Sequence, residues 1–459
     1  MPDPDQLESW LRENGISSVR LEATNHDGML LGKHLAPAKF LAVATNGTQM
    51  ADTAFGLDFS GEVSLGWDWG EWRGNVADVT VVPDLNTLHA DRCQPGVASV
   101  IGDFTTADGE PLPVCGRSML KRLIERLRDG YGLEPRVALE LEFSIFEEPL
   151  HVVRERRYRD LTPLGGPSTV TYLHTRSPDF TEFMSRAAER LDGLDIGWES
   201  WSTETAAGQA EINIGPTDAL TAADHVIRTK LALREVASEL GRTVTFMALV
   251  DEHLGASMHV NLSLAGPGSE NPFHSDAGPA TAPVLRRWIA GLLATMPAAM
   301  SFFSPTVNSY RRLIEIAGPP TTVSWAEANK SAALRTVTHS SGSARIEHRV
   351  PAMDSNPYLV LAAIVAGGLI GMEDELEPPP PFAEMAWGLP PDAAPRLPDS
   401  IARAADALAA DDRLGSVLGA DAVDYWLGTR RWEWLAFHRS GGDPDAVTEF
   451  ELSRYFEAV

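Results

Sequence analysis

The chain has 459 residues, with 38 basic and 64 acidic side chains, which gives a formal charge of −26. This length suggests about three domains or one large one, and an apolar content of 44% is enough to build a buried core. The acidic surplus argues against a nucleic-acid-binding protein, because neutralising phosphates requires an excess of Lys and Arg.

Cysteine content and hydropathy indicate the compartment. Cys93 and Cys115 are too few for a disulfide framework and are not spaced as zinc ligands. The first residues lack the basic and apolar segments of a signal peptide. The longest apolar run, residues 359–372, is too short to span a bilayer and predicts a buried helix. We therefore expect a cytoplasmic protein that binds neither nucleic acid nor membranes.

In chain order, the predicted elements change character near residue 110. Helical spacing over residues 6–14 precedes a strand-rich region that includes a strand over 79–82 and a tryptophan-rich segment, 66–72. Later, short strands alternate with helices. The predicted helices cover residues 117–128, 218–240, 282–300, 357–372 and 423–437. This change predicts a domain boundary near residue 110, with one domain over residues 1–110 and a larger one over 111–459.

Four predicted strands place acidic side chains on one face. The segments are 136–146, 204–215, 256–264 and 344–350. Their carboxylates and imidazole are Glu140, Glu142, Glu204, Glu211, His259 and Glu347. Glu140 and Glu142 are two residues apart, about 6.6 Å along a strand, so they can serve separate cations or share one. Each segment alone is typical of the solvent side of an antiparallel sheet, but together they indicate a site.

The residue types on these faces suit divalent cations and phosphate. Clustered carboxylates raise one another's pKa unless cations neutralise them, and oxygen-rich sets favour Mg²⁺ or Mn²⁺. Arg345 and Arg349, on the last of the four strands, suit phosphate or carboxylate groups. Divalent ions and arginines around phosphate are what phosphoryl transfer from a nucleotide needs. The sequence has neither a P-loop nor a Rossmann glycine motif, so we expect a cleft built on the sheet.

Ordered motifs resemble those of the glutamine synthetase family over essentially the whole chain. In chain order they are ELEF (140–143), ETAAGQAE (204–211), GASMH (255–259), NSYRRL (308–313), NKSAALR (329–335), RIEHR (345–349) and NPY (356–358). The resemblance implies an α+β fold, with a β-grasp domain over residues 1–110 and a catalytic domain over 111–459 that has a curved antiparallel sheet flanked by helices. It also implies ATP-dependent ligation of the glutamate γ-carboxylate to an amine through γ-glutamyl phosphate.

The same resemblance implies two metal ions, Mg²⁺ or Mn²⁺, with ATP as co-substrate. The ion beside glutamate would be held by Glu142, Glu204 and Glu211. The ion beside the nucleotide phosphates would be held by Glu140, His259 and Glu347. Family subunits form a homo-oligomer of stacked rings, often a dodecamer, in which a neighbouring N-terminal domain completes each site.

Further roles carry over position by position. Arg312, Arg349 and the Gly255 backbone match glutamate-binding groups. Arg335 and Arg345 match groups that handle the transferred phosphate and ATP, and Ser263 matches a nucleotide contact. Asp58 is our preferred match for the aspartate that activates the amine. Asp52 is the competing alignment, and a turn role for Asp58 is a third interpretation.

Four positions depart from the ammonia-using enzymes. Gly318 stands where they carry a flap glutamate, and Leu254 where they carry asparagine. Gly342 replaces a lysine near the nucleotide, and Trp387 replaces a tyrosine that some bacterial members adenylylate. The first two changes remove a carboxylate and add an apolar side chain, which favours a substituted amine over ammonia. The alternatives are glutamine synthetase proper and a non-catalytic structural or regulatory relative.

Overall fold

The computed structural model describes residues 4–63, 77–174, 177–251, 255–269, 271–278, 282–313, 318–390, 392–443 and 445–459. The tryptophan-rich segment 66–72 and Leu254 lie outside these described residues. Within them the chain forms two β-sheets and a set of helices that pack around the larger sheet.

The bounds of the elements are as follows. The helices are α1 Pro4–Glu13, α2 Pro37–Val43, α3 Thr53–Gly56, α4 Gly116–Tyr131, α5 Leu150–Glu155, α6 Pro178–Gly193, α7 Ala219–Glu239, α8 Pro283–Phe303, α9 Val307–Arg311, α10 Pro357–Glu373, α11 Ile401–Ala409, α12 Asp412–Leu418, α13 Ala420–Arg439 and α14 Glu449–Tyr455. The strands are β1 Ser18–Thr24, β2 Leu30–Leu35, β3 Thr48–Ala51, β4 Asp78–Pro83, β5 His89–Ala90, β6 Val97–Thr105, β7 Glu134–Phe146, β8 Trp198–Thr203, β9 Gln209–Asp218, β10 Thr243–Thr245, β11 Met258–Ala265, β12 Trp325–Glu327, β13 Leu334–Val337 and β14 Arg345–His348.

The smaller sheet is built by the N-terminal part of the chain. Its strand order is β2-β1-β6-β4-β3, with β5 paired to β6. Strands β1 and β6 run parallel, whereas the other pairs are antiparallel. Alternate side chains of these strands, including Val19, Val81 and Val100, are fully buried in one hydrophobic cluster. The predicted N-terminal helix and the predicted strand over 79–82 are both present.

The larger sheet carries the four predicted acidic strands. Its order is β12-β13-β14-β11-β7-β9-β8, with β10 paired to β7, and every pair is antiparallel except β12 with β13. On β7, Val137, Leu139 and Leu141 are buried on the face that α7 covers. The period of two therefore leaves the glutamates of that strand on the opposite face, as the sequence predicts.

Helix α10 is buried along residues 357–372 and packs against α8. Glycines permit this close approach, because a Cβ on Gly291 would overlap the carbonyl oxygen of Gly367. A Cβ on Gly371 would likewise overlap the carbonyl oxygen of Arg287. The apolar run therefore forms a core helix, as predicted. Among the described residues, no helix has both the length and the apolar composition to cross a bilayer.

The α+β architecture predicted from the sequence is confirmed, and the predicted helices end within a few residues of the observed ones. The domain boundary near residue 110 falls between the end of β6 at Thr105 and the start of α4 at Gly116. Leu112 and Val114 in this connection still pack in the N-terminal hydrophobic cluster. The division into residues 1–110 and 111–459 stays a prediction.

Candidate active site

Strand register brings the predicted metal ligands to one place. Across β11 and β7, His259 pairs with Glu140, and across β7 and β9, Glu142 pairs with Glu211. Across β11 and β14, Asn261 pairs with Glu347. Since paired residues on one face have neighbouring side chains, the register gathers groups that lie far apart in the chain.

Side-chain distances confirm that these groups converge. One ligand atom from each of Glu140, Glu211 and His259 lies within 4.8 Å of the other two. His259 Nδ1 is 3.1 Å from Glu140 Oε2, and its Nε2 is 3.9 Å from Glu142 Oε1. The other oxygen of Glu142 accepts a hydrogen bond from the Ser257 amide at 2.7 Å. Three carboxylates and one imidazole therefore meet in a small volume.

The electrostatics of this cluster show an excess of negative charge. Burial, together with Glu140 and Glu142, raises the pKa of Glu211 to about 8. Burial and Glu142 raise the pKa of Glu204 to about 7. Oxygen donors with one imidazole suit a hard divalent ion, and such an ion would relieve this repulsion. The residues present therefore fit the metal that the sequence predicts.

Two members of the predicted ligand set instead have lowered pKa values. Burial opposes the ionisation of Glu140, but hydrogen bonding to His259 and its charge lower the Glu140 pKa to about 2. Burial also opposes the ionisation of Glu347, but Arg349 and His259 lower its pKa. The oxygens of Glu347 accept hydrogen bonds from Arg335, at 2.5 Å, and from Arg349. Glu347 is thus anionic and held in place by two guanidinium groups.

Three arginines have buried Nε atoms beside the cluster. The Nε atoms of Arg312, Arg335 and Arg349 are buried, with no hydrogen-bond partner in the described part of the chain. Arg312 is 1% exposed, and burial lowers its pKa to about 10. Buried donors without partners are costly, so these groups are placed to bind an anion.

Gly255 allows Arg312 to approach the site. A Cβ at Gly255 would overlap the Arg312 side chain and lie 2.5 Å from the Ala248 carbonyl oxygen. The Gly255 carbonyl accepts a hydrogen bond from Gln209 Nε2 at 3.3 Å. Only glycine fits at this position, which lies next to the groups that the sequence assigns to glutamate.

The predicted nucleotide groups line a recess of about 340 Å³. Arg345 and Ser263 lie in its wall, together with Glu140 and Gly342. Arg345 Nε donates to Asn261 Oδ1 at 2.8 Å, which orients the guanidinium. No described residue lies within 4 Å of a would-be Cβ on Gly342, the position where the resemblance implies a lysine.

The remaining predicted residues are placed differently. Gly318 has φ +108, and no described residue lies within 4 Å of a would-be Cβ there, so the position predicted to match the flap glutamate is open on the described side. Asp58 Oδ2 pairs with Arg454, at 2.7 Å, and accepts from Trp432. Asp52 Oδ1 is buried without a hydrogen-bond partner in the described residues. No hydrogen bond or ion pair of the described residues joins either aspartate to the carboxylate cluster.

The sequence analysis assigned no role to two side chains that hold the site together. Asn261 bridges Glu140 and Arg345, since it donates to the carboxylate at 2.9 Å and accepts from the guanidinium. The Ser257 hydroxyl accepts from Arg312 at 3.2 Å, while its amide holds Glu142. Asn261 and Ser257 share the polar face of their strand with His259. That shared face is the signal that could have found them.

A helix-flanked sheet that presents converging carboxylates, an imidazole and arginines with buried Nε atoms is the arrangement that an enzyme needs to handle phosphate with divalent metal ions. The profile described as the glutamine synthetase catalytic domain matches residues 113–455. The chain belongs to the glutamine synthetase family.

Relatives match along nearly the full chain. A glutamate–isopropylamine ligase from a Pseudomonas species is 29% identical, covering 99% of this chain and 98% of its own. The type-1 glutamine synthetase 2 of Dictyostelium discoideum is 32% identical, covering 96% and 84%. The γ-glutamylethanolamide synthetase GlnA4 of Streptomyces coelicolor is 31% identical, covering 99% and 96%. A solved GmaS/ADP complex superimposes with a TM-score of 0.83 at 26% identity, covering 98% of each chain.

Proposed function

We propose that this protein is a γ-glutamyl-amine ligase that uses ATP to join the γ-carboxylate of glutamate to an amine. The observation that supports this proposal most directly is the convergence of Glu140, Glu211 and His259 beside arginines whose buried Nε atoms have no hydrogen-bond partner in the described residues. Such a site can hold divalent cations and two anionic substrates together. Relatives named as a glutamate–isopropylamine ligase and a γ-glutamylethanolamide synthetase support the choice of a substituted amine.

The six ligands predicted from the sequence would hold divalent ions. These ions would neutralise negative charge on the ATP phosphates and on the attacking carboxylate. The ligand set is Glu142, Glu204, Glu211, Glu140, His259 and Glu347. The arginines of the chain would neutralise the remaining negative charge of the substrates. Arg312 and Arg349 bind glutamate, and Arg335 and Arg345 stabilise the phosphate that is transferred.

The reaction has two steps. The γ-carboxylate oxygen attacks the terminal phosphorus of ATP, ADP leaves, and γ-glutamyl phosphate forms. A neutral amine then attacks the acyl carbon, and phosphate leaves with the electron pair of the broken bond. The amine must first lose a proton because an ammonium has no lone pair. Keeping the acyl phosphate in the cleft away from water favours the amine over hydrolysis.

We assign removal of the amine proton to an aspartate, Asp58 or Asp52, from a neighbouring subunit in a stacked ring, the dodecamer expected of the family. Neither aspartate contacts the carboxylate cluster of its own chain in the described residues. This supports a site completed by a second copy. We place the reaction in the cytoplasm, consistent with two free cysteines.

Glutamate-dependent release of ADP tests the proposal. The purified protein is given ATP, Mg²⁺ or Mn²⁺, glutamate and one amine from a panel of ammonia, methylamine, isopropylamine, ethanolamine, putrescine, spermine and aniline. We expect turnover that requires metal, glutamate and amine together, with the γ-glutamyl amide identified by mass spectrometry. Aspartate in place of glutamate is the control. Absence of turnover with every amine would contradict the proposal.

Glutamine synthetase proper is the second candidate, favoured by the resemblance to the Dictyostelium discoideum enzyme. Gly318 argues against it because this position lacks the carboxylate that helps to bind ammonium. Its φ of +108 would also strain any residue with a side chain, so a glutamate there is not a simple exchange. Ammonia as the best substrate by kcat/KM would decide for this candidate.

A further inference from the structure

The turn between β1 and β2 is buried against the larger part of the chain, and no step of the proposed reaction uses it. It spans residues 25–28, and Asn25, His26 and Asp27 are each at most 5% exposed. Asn356, the N-cap of α10, donates from Nδ2 to the carbonyl oxygens of Asn25, at 3.2 Å, and of His26, at 3.0 Å. The turn is therefore fixed to the start of a core helix.

A buried ion pair extends this contact to α13. Arg430 is 1% exposed, and its Nη2 lies 2.5 Å from Asp27 Oδ1. His26 Nε2 lies 3.1 Å from the other oxygen of Asp27. Burial opposes the ionisation of Asp27, but His26 and Arg430 lower its pKa, so the carboxylate is anionic. Desolvation offsets much of the attraction within such a pair, so the pair adds little net stability, yet the removal of one partner is costly.

The same guanidinium also holds the helix that leads to the arginine proposed to bind glutamate. Arg430 Nη1 donates to the carbonyl oxygen of Pro305. Thr306, the next residue, is the N-cap of α9, and Arg312 is the C-cap of the same helix. Because α9 has only five residues, a shift at its start is carried to its end. Arg430 therefore helps to set the position of Arg312.

A second contact of α13 reaches the segment that carries both candidate aspartates. Tyr425 is 4% exposed, and its hydroxyl oxygen lies 2.7 Å from His26 Nδ1. The same hydroxyl donates to the carbonyl oxygen of Phe55 in α3, at 2.8 Å. The Phe55 amide in turn donates to the carbonyl oxygen of Asp52, at 2.9 Å. The β1–β2 turn and α13 thus hold the glutamate-binding arginine and the aspartate segment through one set of buried contacts.

We propose that the Asp27–Arg430 pair positions two groups of the reaction at once: Arg312, which binds glutamate, and the segment of the candidate aspartates. In the described residues, neither member of the pair has a hydrogen bond or ion pair to the carboxylate cluster, so each acts through the groups that it holds. In a ring where a neighbour completes each site, the pair serves glutamate in its own site and the amine in the next. This inference rests on the proposed ligase function and adds residues outside its site.

The first test is Asp27→Asn, which keeps the shape of the side chain but leaves Arg430 without its ion pair. Kinetics are measured with ATP, Mg²⁺ and the best amine of the panel. We expect the KM for glutamate to rise about tenfold, because small displacements of a substrate-holding group are costly. A role in folding alone would lower Tm and leave this KM unchanged.

The matched control is Asp91→Asn. Asp91 forms a similarly buried pair with Arg190, at 2.7 Å, which joins the N-terminal part of the chain to α6. In the described part of the chain, no hydrogen bond or ion pair links this pair to α9 or α3. The control variant should therefore lose Tm as Asp27→Asn does, with no change in the KM for glutamate.

Two further variants separate the two ends of the contacts. Arg430→Lys keeps the charge but offers one nitrogen in place of the two that reach Asp27 and Pro305, so it should also raise the KM for glutamate. Combining it with Asp27→Asn should cost little more than either change alone, because both break the same pair. Tyr425→Phe removes only the hydroxyl that holds Phe55, so kcat should fall several-fold while the KM for glutamate stays unchanged.

An unchanged KM for glutamate in Asp27→Asn, or an equal rise in Asp91→Asn, overturns the inference. If Asp27→Asn does not fold, the milder variants decide: an unchanged KM in Arg430→Lys or a full kcat in Tyr425→Phe overturns it. Each of these results leaves the ligase function standing. Absence of glutamate-dependent turnover with every amine in the unmodified protein removes the proposed function, and this inference with it.

Discussion

His259 and Glu140 face each other across β11 and β7, with the imidazole Nδ1 3.1 Å from Glu140 Oε2. The other oxygen of Glu140 accepts a hydrogen bond from Asn261 at 2.9 Å, which fixes the carboxylate plane. Asn261 in turn accepts from Arg345, so one short chain of contacts links the proposed metal ligand to the proposed nucleotide group. Ligands held in this way lose little freedom when a metal binds.

The first prediction concerns this carboxylate. Glu140→Gln keeps the shape of the side chain but removes its charge, so the ligand set loses one anionic oxygen. We expect kcat to fall by about 100-fold or more, since metal stabilisation of phosphoryl transfer amounts to several kcal/mol. Mn²⁺ binding, followed by electron paramagnetic resonance, should weaken in parallel.

The matched control is Glu134→Gln at the start of the same strand. Glu134 is half-exposed and pairs with Arg128. This substitution should leave both activity and Mn²⁺ binding close to those of the unmodified protein, because exposed ion pairs contribute little. Equal losses of activity and Mn²⁺ binding in the two variants would show that any charge change on this strand has the effect, and that Glu140 is not a metal ligand.

The second prediction follows from the raised pKa values of Glu204, about 7, and Glu211, about 8. Near pH 7 the metal-free pair holds protons that a divalent ion must displace. We expect on the order of one proton to be released per site, and the apparent Mg²⁺ affinity to rise between about pH 6 and pH 9. Calorimetry in two buffers with different ionisation enthalpies measures this release.

In the metal-free protein, the same raised pKa values make the folded state less stable as the pH rises. Because the folded pKa values lie above the unfolded ones, the protonated pair stabilises the fold at low pH. This contribution is lost as the pH rises through 7 and 8. Glu211→Gln should remove much of this loss of stability, so its Tm should fall less from pH 5 to pH 8. The variant should also release fewer protons when the metal binds. A Tm difference between the two proteins that does not vary with pH would count against the raised pKa of Glu211.

The third prediction concerns Gly255. A methyl group there would overlap Arg312, so Gly255→Ala should displace this arginine and raise the KM for glutamate, with a loss of about 1–3 kcal/mol of stability. Gly130→Ala in α4 is the control, because nothing lies within 4 Å of its would-be Cβ. That substitution should be neutral or stabilising. An unchanged KM for glutamate in Gly255→Ala would show that this glycine takes no part in glutamate binding.

Much of the site could be predicted because strand alternation is local. A period of two in the sequence places Glu140 and Glu142 on one face and Leu139 and Leu141 on the other, and the structure agrees. Strand register is not local, since it depends on pairing between distant segments. The sequence therefore could not show that Asn261 would lie between Glu140 and Arg345.

The aspartates show the same limit. For Asp58, the sequence left a turn role and a catalytic role open. Its partner Arg454 lies in the C-terminal helix α14, and no local pattern links the two.

The last prediction separates Asp58 from Asp52. Both oxygens of Asp58 are engaged: amides of residues 60 and 62 bind Oδ1, while Arg454 and Trp432 bind Oδ2. Because four donors already occupy both of its oxygens, Asp58 has a structural role, and Asp58→Asn should mainly lower Tm, by an amount that corresponds to about 1–3 kcal/mol. Asp52 has a buried oxygen without a partner in the described residues, so Asp52→Asn should mainly lower kcat.

Mixed oligomers connect this prediction to the shared site. Glu140→Gln and Asp52→Asn subunits, each nearly inactive alone, are co-expressed with different tags and purified as mixed rings. If a neighbour supplies Asp52, about one quarter of the sites in randomly mixed rings combine an intact cluster with an intact aspartate, and that share of activity should return. Recovery with Asp58→Asn in place of Asp52→Asn, and none with Asp52→Asn, would assign the proton acceptor to Asp58. No recovery with either would mean that each chain completes its own site, because complementation requires the two halves to come from different subunits.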